Sequence, residues 1–574
     1  MSEALTLKKR KRRFLEEAFK VENWEQVRPY YEELVSRPIN NVEELREWFR
    51  DRSELESVLS EELGWRYIKM TCDTASKEYT DSFNYFVNEI QPQVAPFSNR
   101  LDKKALESPY LKSLDDPEYD IVKKLLEKDE RIFREENIPL ETQIHTEEQK
   151  FGSISGDMTV EMEGKELTLQ QAGDYLDLYD RYLREEAYRK IAERRLKDKD
   201  QLDGLFDKLL NLRNKVALNA DFSNFRDYMH TALGRFSYGV EDCFKFHSAV
   251  EEEVVPLLND LAVERKNKLA LDNLRPWDLN VNYLGKTPLK PFKTGEELLE
   301  KTLVCFDRVD SYLGNCLRTM KEMGHLDLVS RKGKAPGGYN YPLDETGVPF
   351  IFMNATSSLQ DLVTMVHEGG HAYHSFLTRD LELSIFKNPP SEVAELASMA
   401  MELISMEHWD VFFDNEKDLV RAKREQLEGI INTLPWVATV DKFQHWIYEN
   451  PNHSRQERVK AWNDIFSSFS SSVTDWTGLE QYKDYVWHKQ LHIYEVPFYY
   501  IEYAIAQLGA VGVWKNYKAD PRKGFSSYTE ALKLGYTRPV NEVYEAAGVR
   551  FDFSRENIKA LMSFVKAELD KLAV

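Results

Sequence analysis

The sequence predicts a mainly α-helical protein with a small β-sheet beside one of its helices. Three observations predict it. Segments with apolar residues at helical spacing fill most of the chain, as in "VEELREWFRDRSELESVLSEEL" at 42–63. Two stretches break that texture: "MTVEMEGKELTL" at 158–169 and "RKGKAPGGYNYPLDETGVPFIFMNAT" at 331–356. The second break leads straight into a further helical segment containing two closely spaced histidines.

Taken in order, residues 1 to about 145 read as helices rich in Glu, Lys and Leu. The stretch 158–169 alternates apolar and polar residues around Glu163 to Lys165 and reads as a β-hairpin. Helices resume to about 270. "DNLRPWDLN" and "LGKTPLKPF" are proline-punctuated connectors, and a helical pattern returns over 294–330. At 331–356 glycines, prolines and aromatics predict a loop, a turn near "DETG" and the strand "PFIFMNAT". From 357 the chain reads as helical to its end. A division at 1–180, an N-terminal helical region with the hairpin, and 181–574, a catalytic region, fits this order.

Composition bounds the function. The chain has 574 residues, 42% hydrophobic and 30% charged, enough for more than one core. A net charge of −21 disfavours nucleic-acid and anionic-membrane partners, because the field repels phosphate. The exception is "KKRKRR" at Lys8 to Arg13, which reads as the solvated start of the first helix. Four cysteines, Cys72, Cys243, Cys305 and Cys316, form no CxxC pair and suit a reducing compartment. No apolar signal core or membrane span is visible, so a cytoplasmic location is expected.

The chemistry concentrates in "VTMVHEGGHAYHSF", residues 363–376. Ser357 or Ser358 can cap a helix there, and Asp361 in its first turn suits the helix dipole. Leu359, Leu362, Val363 and Val366 supply the apolar stripe. His367 and His371, four apart, then share a face and can reach one ion. Glu368 is turned about 100° from His367, which suits a general base better than a ligand. This is the HExxH pattern of zinc hydrolases. His488 and His492 are also four apart but have no Glu between them.

A third ligand is needed, with one position left open. The next helix, in "NPPSEVAELASMAMELISM", offers Glu392, Glu395 and Glu402, with Ser391 placed to cap it. Glu395 and Glu402 share a face, so one can bind the ion while the other supports a ligating histidine. Small residues around Glu395 permit close helix packing.

"HEGGHAYH" followed by "EVAELASMAMEL" resembles the thimet oligopeptidase and oligoendopeptidase F family of zinc peptidases, which carries HEFGHxxH and then ExxSxxxE. "GKAPGGYNY", "PFIFMNAT", "HIYEVPFYYIEYAIAQLGA" and the C-terminal "YTEALKLGYTRPVNEVYEAAGVRFDF" extend the likeness from about 100 to 574. The hairpin suits the oligoendopeptidase F branch. The resemblance implies two helical lobes around a deep substrate channel, and one Zn2+ held by His367, His371 and Glu395. It makes Glu402 and His374 supporting residues. It implies that His492, Tyr500 and Tyr503 contact the transition state, with Tyr499 nearby. It places substrate along Gly337, Gly338, Tyr339, Phe352, Asn354 and Ala355, with "PFIFMNAT" as the edge strand. The family usually has a bulky residue where Gly369 stands, and a helical glycine costs about 1 kcal/mol relative to alanine.

The function expected is a zinc endopeptidase for short peptides, monomeric or a simple homo-oligomer. Glu368 would act as general base. An all-helical zinc carboxypeptidase and an inactive peptide-binding relative are the alternatives.

Overall fold

The computed structural model describes residues 3–8, 10–285 and 287–572. Lys9 of the basic run and Lys286 of the second connector lie outside the described residues. The chain forms two compact units. One takes residues 1–130, 289–419 and 506–551; the other takes 131–288, 420–505 and 552–574. Each unit draws segments from both sides of residue 180. The chain is mainly helical with two small sheets. No helix of the described residues is long and apolar enough to cross a membrane.

The second unit holds the expected hairpin. Strands β1 (Thr159–Met162) and β2 (Lys165–Thr168) pair antiparallel, Met162 opposite Lys165. Glu163 and Gly164 both take positive φ, 50° and 77°, as a tight two-residue turn requires.

In the first unit the N-terminal helices bury Tyr31, Leu34, Trp48 and Leu55 in one core. The basic run does not start a helix; the first helix is Trp24–Ser36. Its arginines bond to distant partners instead. Arg12 pairs with Glu345 at 2.6 Å, and Arg10 donates to the Leu381 carbonyl at 3.1 Å.

The helical reading of 294–330 stops short. Helix Ser311–Met323 ends where Gly324 takes the left-handed C-cap conformation, φ 71°. Leu326–Val329 is strand β3. With β4 (Tyr339–Tyr341) and β5 (Phe350–Ala355) it forms a three-stranded sheet in the order β3-β5-β4. β3 runs parallel and β4 antiparallel to β5. So "PFIFMNAT" is the central strand, not the edge strand. Its backbone groups are spent on both neighbours, and β4 is the outer strand next to it.

Helix Leu359–Thr378 follows directly. Ser358 caps it, accepting from the Asp361 backbone at 3.1 Å, while Asp361 returns a bond to the Ser358 backbone at 2.8 Å. Helix Ser391–Met406 packs against it; Pro390 occupies the N-cap position, so Ser391 is the first helical residue.

Candidate metal centre

Gly370 is the hinge of the arrangement. A Cβ there would lie 2.7 Å from the Ala397 carbonyl oxygen and 2.7 Å from the Ser398 Cα. Only glycine lets the two helix backbones come this close, and that approach lets a glutamate on one reach histidines on the other. Gly369 serves another neighbour. Its Cβ would lie 2.6 Å from Cζ of Phe306, a buried ring on helix Gly295–Val309. The aromatic ring fills the space a larger side chain would take.

The three expected ligands converge. The ligand atoms of His367, His371 and Glu395 all lie within 4.8 Å of one another. Glu395 Oε2 is 3.4 Å from His367 Nε2 and 3.8 Å from His371 Nε2. Ser398 donates to the same Oε2 at 3.1 Å. Glu402 Oε1 meets Nδ1 of His367 at 2.7 Å, which turns Nε2 toward Glu395. The two glutamates therefore take different parts, although the sequence places both on one face.

Electrostatics follow from this packing. Burial pulls the His367 pKa down, but bonds to Glu395 and Glu402 more than offset it and hold it well above the ordinary value. Burial drives His371 down to about 4 against the attraction of Glu395. Burial raises Glu395, but the bond from His367, the charge of both histidines and Ser398 leave it lowered. Glu368, beside the cluster and buried, is pushed up to about 7 by burial. Asn340 on β4 donates to its backbone carbonyl at 3.3 Å. Nothing in the sequence marked Asn340 for this contact.

His374 stands apart from the ligand set. It is buried, and burial lowers its pKa to about 3. Its ring bonds to the Leu532 backbone.

The residues expected to line substrate divide sharply. Phe352 is fully buried and stacks on Tyr339 at 4.8 Å between centroids, so its ring belongs to the sheet core. Tyr339 also bonds Thr71 at 2.6 Å. Asn354 donates to the carbonyls of Ala335 and Gly337, each at 2.8 Å, pinning the loop before β4. Gly337 has φ 96°, a turn requirement, and Gly338 passes close to the Phe352 carbonyl. Ala355 ends β5.

His492, Tyr499, Tyr500 and Tyr503 lie in the second unit. They do not share one helix. Helix Leu491–Glu495 ends, Phe498 takes φ 66°, and the next helix begins at Ile501. Their rings still cluster: His492 is 4.5 Å from Tyr500 and 6.0 Å from Tyr503, and Tyr500 is 5.6 Å from Tyr503. Tyr499 is 5.4 Å from Tyr503. Burial lowers His492 to about 4, so it is neutral at neutral pH. His488 is a buried partner of Asp203 at 3.4 Å.

The donor set fits a zinc ion. Two imidazole nitrogens and one carboxylate oxygen face a common point, and the other nitrogen of His367 is already held by Glu402.

The profile of Peptidase family M3 matches residues 175–563, and that of the Peptidase M3 N-terminal domain matches 14–133. The first hundred residues, least distinctive in the sequence, thus carry a family signal of their own. The chain is 23% identical over 392 residues to Oligopeptidase PepF of Bacillus subtilis, covering 66% of this chain and 58% of that protein. It is 23% identical over 418 residues to an Oligoendopeptidase F homolog of Lactococcus lactis, covering 72% and 68%. The matched region is thus little more than half of the Bacillus protein. Among solved structures, a Pz peptidase A with an inhibitor matches at TM-score 0.88 and 25% identity, covering 96% of this chain and 99% of that one. A putative oligoendopeptidase F matches at TM-score 0.87 and 25% identity, covering 96% and 97%.

Proposed function

Because this chain belongs to Peptidase family M3, we propose that it is a zinc-dependent endopeptidase that hydrolyses internal bonds of short, unstructured peptides. The observation that carries this reading is the relay Glu402–His367–Glu395, with Glu368 buried beside it. His367, His371 and Glu395 would hold the ion.

A zinc ion there supplies a Lewis acid that acidifies water and polarises a peptide carbonyl. Glu402 fixes the tautomer and orientation of His367. Ser398 steadies the Glu395 carboxylate. Glu368 takes a proton from the attacking water and returns it to the leaving amine. Its burial suits both halves of that task, since a carboxyl near 7 holds and gives up a proton with little cost. A divalent cation held there would lower its value and favour the base form.

For His492, Tyr500 and Tyr503 we propose hydrogen-bond donation to the oxygen that becomes negative in the tetrahedral state. The chemistry of the groups supports this: a neutral imidazole and two phenols are donors. Tyr499 is the alternative phenol.

Peptide backbone recognition falls to β4. A peptide adding to the sheet would pair with an outer strand, β3 or β4, since β5 is already flanked, and it is β4 whose Asn340 reaches the Glu368 carbonyl. Backbone pairing predicts tolerance of many sequences. Burial removes the Phe352 ring from any contact with substrate. The reading carries a reducing, cytoplasmic setting with it, which rests on the four cysteines, none in a disulfide among the described residues.

The test is Glu368→Gln with zinc content and peptide cleavage measured together. Zinc retained with turnover lost supports the reading; unchanged turnover overturns it. Mass spectrometry of products from peptides blocked at both ends separates internal cleavage from release of single C-terminal residues.

A further inference from the structure

The second unit buries another cluster of metal-ligating side chains. Helix Val240–Glu253 carries Cys243 and His247, and helix Glu416–Glu449 carries Asp441 and His445. Each pair is four residues apart, so each helix presents its pair on one face. The pairs meet. The ligand atoms of Cys243, Asp441 and His445 all lie within 4.8 Å of one another. His445 Nε2 is 3.3 Å and His247 Nε2 is 2.8 Å from Asp441 Oδ2. On helix Phe225–Ala232, His230 Nε2 is 3.8 Å from the Cys243 sulfur.

Cys243, His247, Asp441 and His445 are buried, none more than 1% exposed, and His230 is half-buried. Asp441 Oδ1, His247 Nδ1 and both ring nitrogens of His445 have no hydrogen-bond partner. A buried polar atom left without a partner is costly to the fold. His445 approaches Asp441 as a charged contact rather than as an aligned hydrogen bond. The packing around them is aromatic: Phe244 lies 5.0 Å and Phe498 5.3 Å from the His445 ring.

We propose that Cys243, Asp441 and His445 form a second, structural zinc site, with His230 beside the Cys243 sulfur as fourth donor and His247 orienting Asp441. Thiolate, imidazole and carboxylate together are zinc ligands. Zinc bond lengths of about 2.0–2.3 Å put tetrahedral ligand atoms roughly 3.3–3.8 Å apart. The Asp441–His445 and Cys243–His230 distances already fall there. A thiolate and a carboxylate also cancel the charge of one Zn2+, which removes the cost of burying either anion alone. Burial by itself keeps the Cys243 thiol protonated, and a bound cation reverses that preference. The nearby Arg235 is turned away to Glu502, at 3.0 Å, and to the Phe498 carbonyl. Lys442 extends toward Glu251, at 3.8 Å. The ion would staple two helices of this unit in a chain without disulfides.

The experiment measures zinc per chain by mass spectrometry on the full-length protein, saturated with zinc and then desalted. Two equivalents are expected, falling to one in Cys243→Ser and to one in His371→Ala. Replacing zinc with Co2+ in the unmodified protein gives a readout that does not depend on a variant folding. A near-ultraviolet thiolate-to-cobalt band is expected, which the cysteine-free His367/His371/Glu395 site cannot produce. One equivalent of zinc without that band overturns the proposal, as do two equivalents without it. Loss of zinc from the cysteine-free site alone would overturn the peptidase reading and leave this one standing.

Discussion

The two imidazole–carboxylate clusters use one construction with opposite exposure. In the first unit, His367 and His371 keep about a fifth of their side chains accessible, 22% and 20%. In the second, the side chains of Asp441 and His445 are 0% and 2% accessible. Both clusters use a pair four apart on a helix, and in both a further group orients one ligand: Glu402 on His367, His247 on Asp441. The difference teaches what separates a reactive site from a structural one. An open rim would let water and substrate reach an ion held there, beside the carboxyl of Glu368 that we propose moves protons. A sealed cluster offers no such route, which fits the structural part we propose for it.

The contrast breaks most sharply at Glu368. The Glu368→Gln variant is expected to lose about 10²–10⁴-fold in turnover with zinc retained, the span of general-base catalysis; an internally quenched peptide assay beside zinc analysis checks it. If turnover survives, the open cluster is no more reactive than the sealed one.

Gly370→Ala tests the close approach that builds the open cluster. Overpacking costs about 1–3 kcal/mol, more than the roughly 1 kcal/mol of helix propensity gained. A lowered Tm together with weakened zinc binding is expected. A raised Tm with full zinc binding would show that the helices can separate without harm.

Glu402→Gln sharpens the role of the orienting group. Zinc affinity should fall about 10–100-fold, measured by competition with a coloured chelator, while Glu368 remains in place. No change would make Glu402 an ordinary buried acid.

The smallest effect is expected at Gly369. Gly369→Ala should destabilise the fold through Phe306, and Phe306→Leu should relieve part of that loss. A coupling of about 0.5–3 kcal/mol in a double-mutant cycle from chemical denaturation is expected. Strict additivity would mean the ring and the glycine do not interact.

How far the sequence could be read depended on how local each feature is. The helix under the HExxH motif and its Ser358–Asp361 cap were legible, because caps and i, i+4 spacing act within a few residues. The carboxylates on the next helix were legible from spacing as a pair, and in their separate parts only through the family resemblance. Helix geometry puts Glu395 and Glu402 on one face, and only the packed partner shows which meets Nε2 and which meets Nδ1 of His367. The edge strand was misplaced because "HLDLV" continues a helical pattern until Gly324 ends it and frees β3 to flank β5. The late His/Tyr segment looked like one helix, since nothing in "YEVPFYY" announces the left-handed Phe498 except Pro497 before it.

The sequence by itself determined the mainly helical class and which residue types the candidate site offers, because hydrophobic period and motif spacing are properties of a single segment. The tertiary structure decided why Gly369 and Gly370 stand in a helix, which strand is left at the sheet's edge, and that Cys243 meets Asp441 and His445. Those outcomes depend on which surfaces come together across long stretches of chain, and no local pattern encodes that meeting.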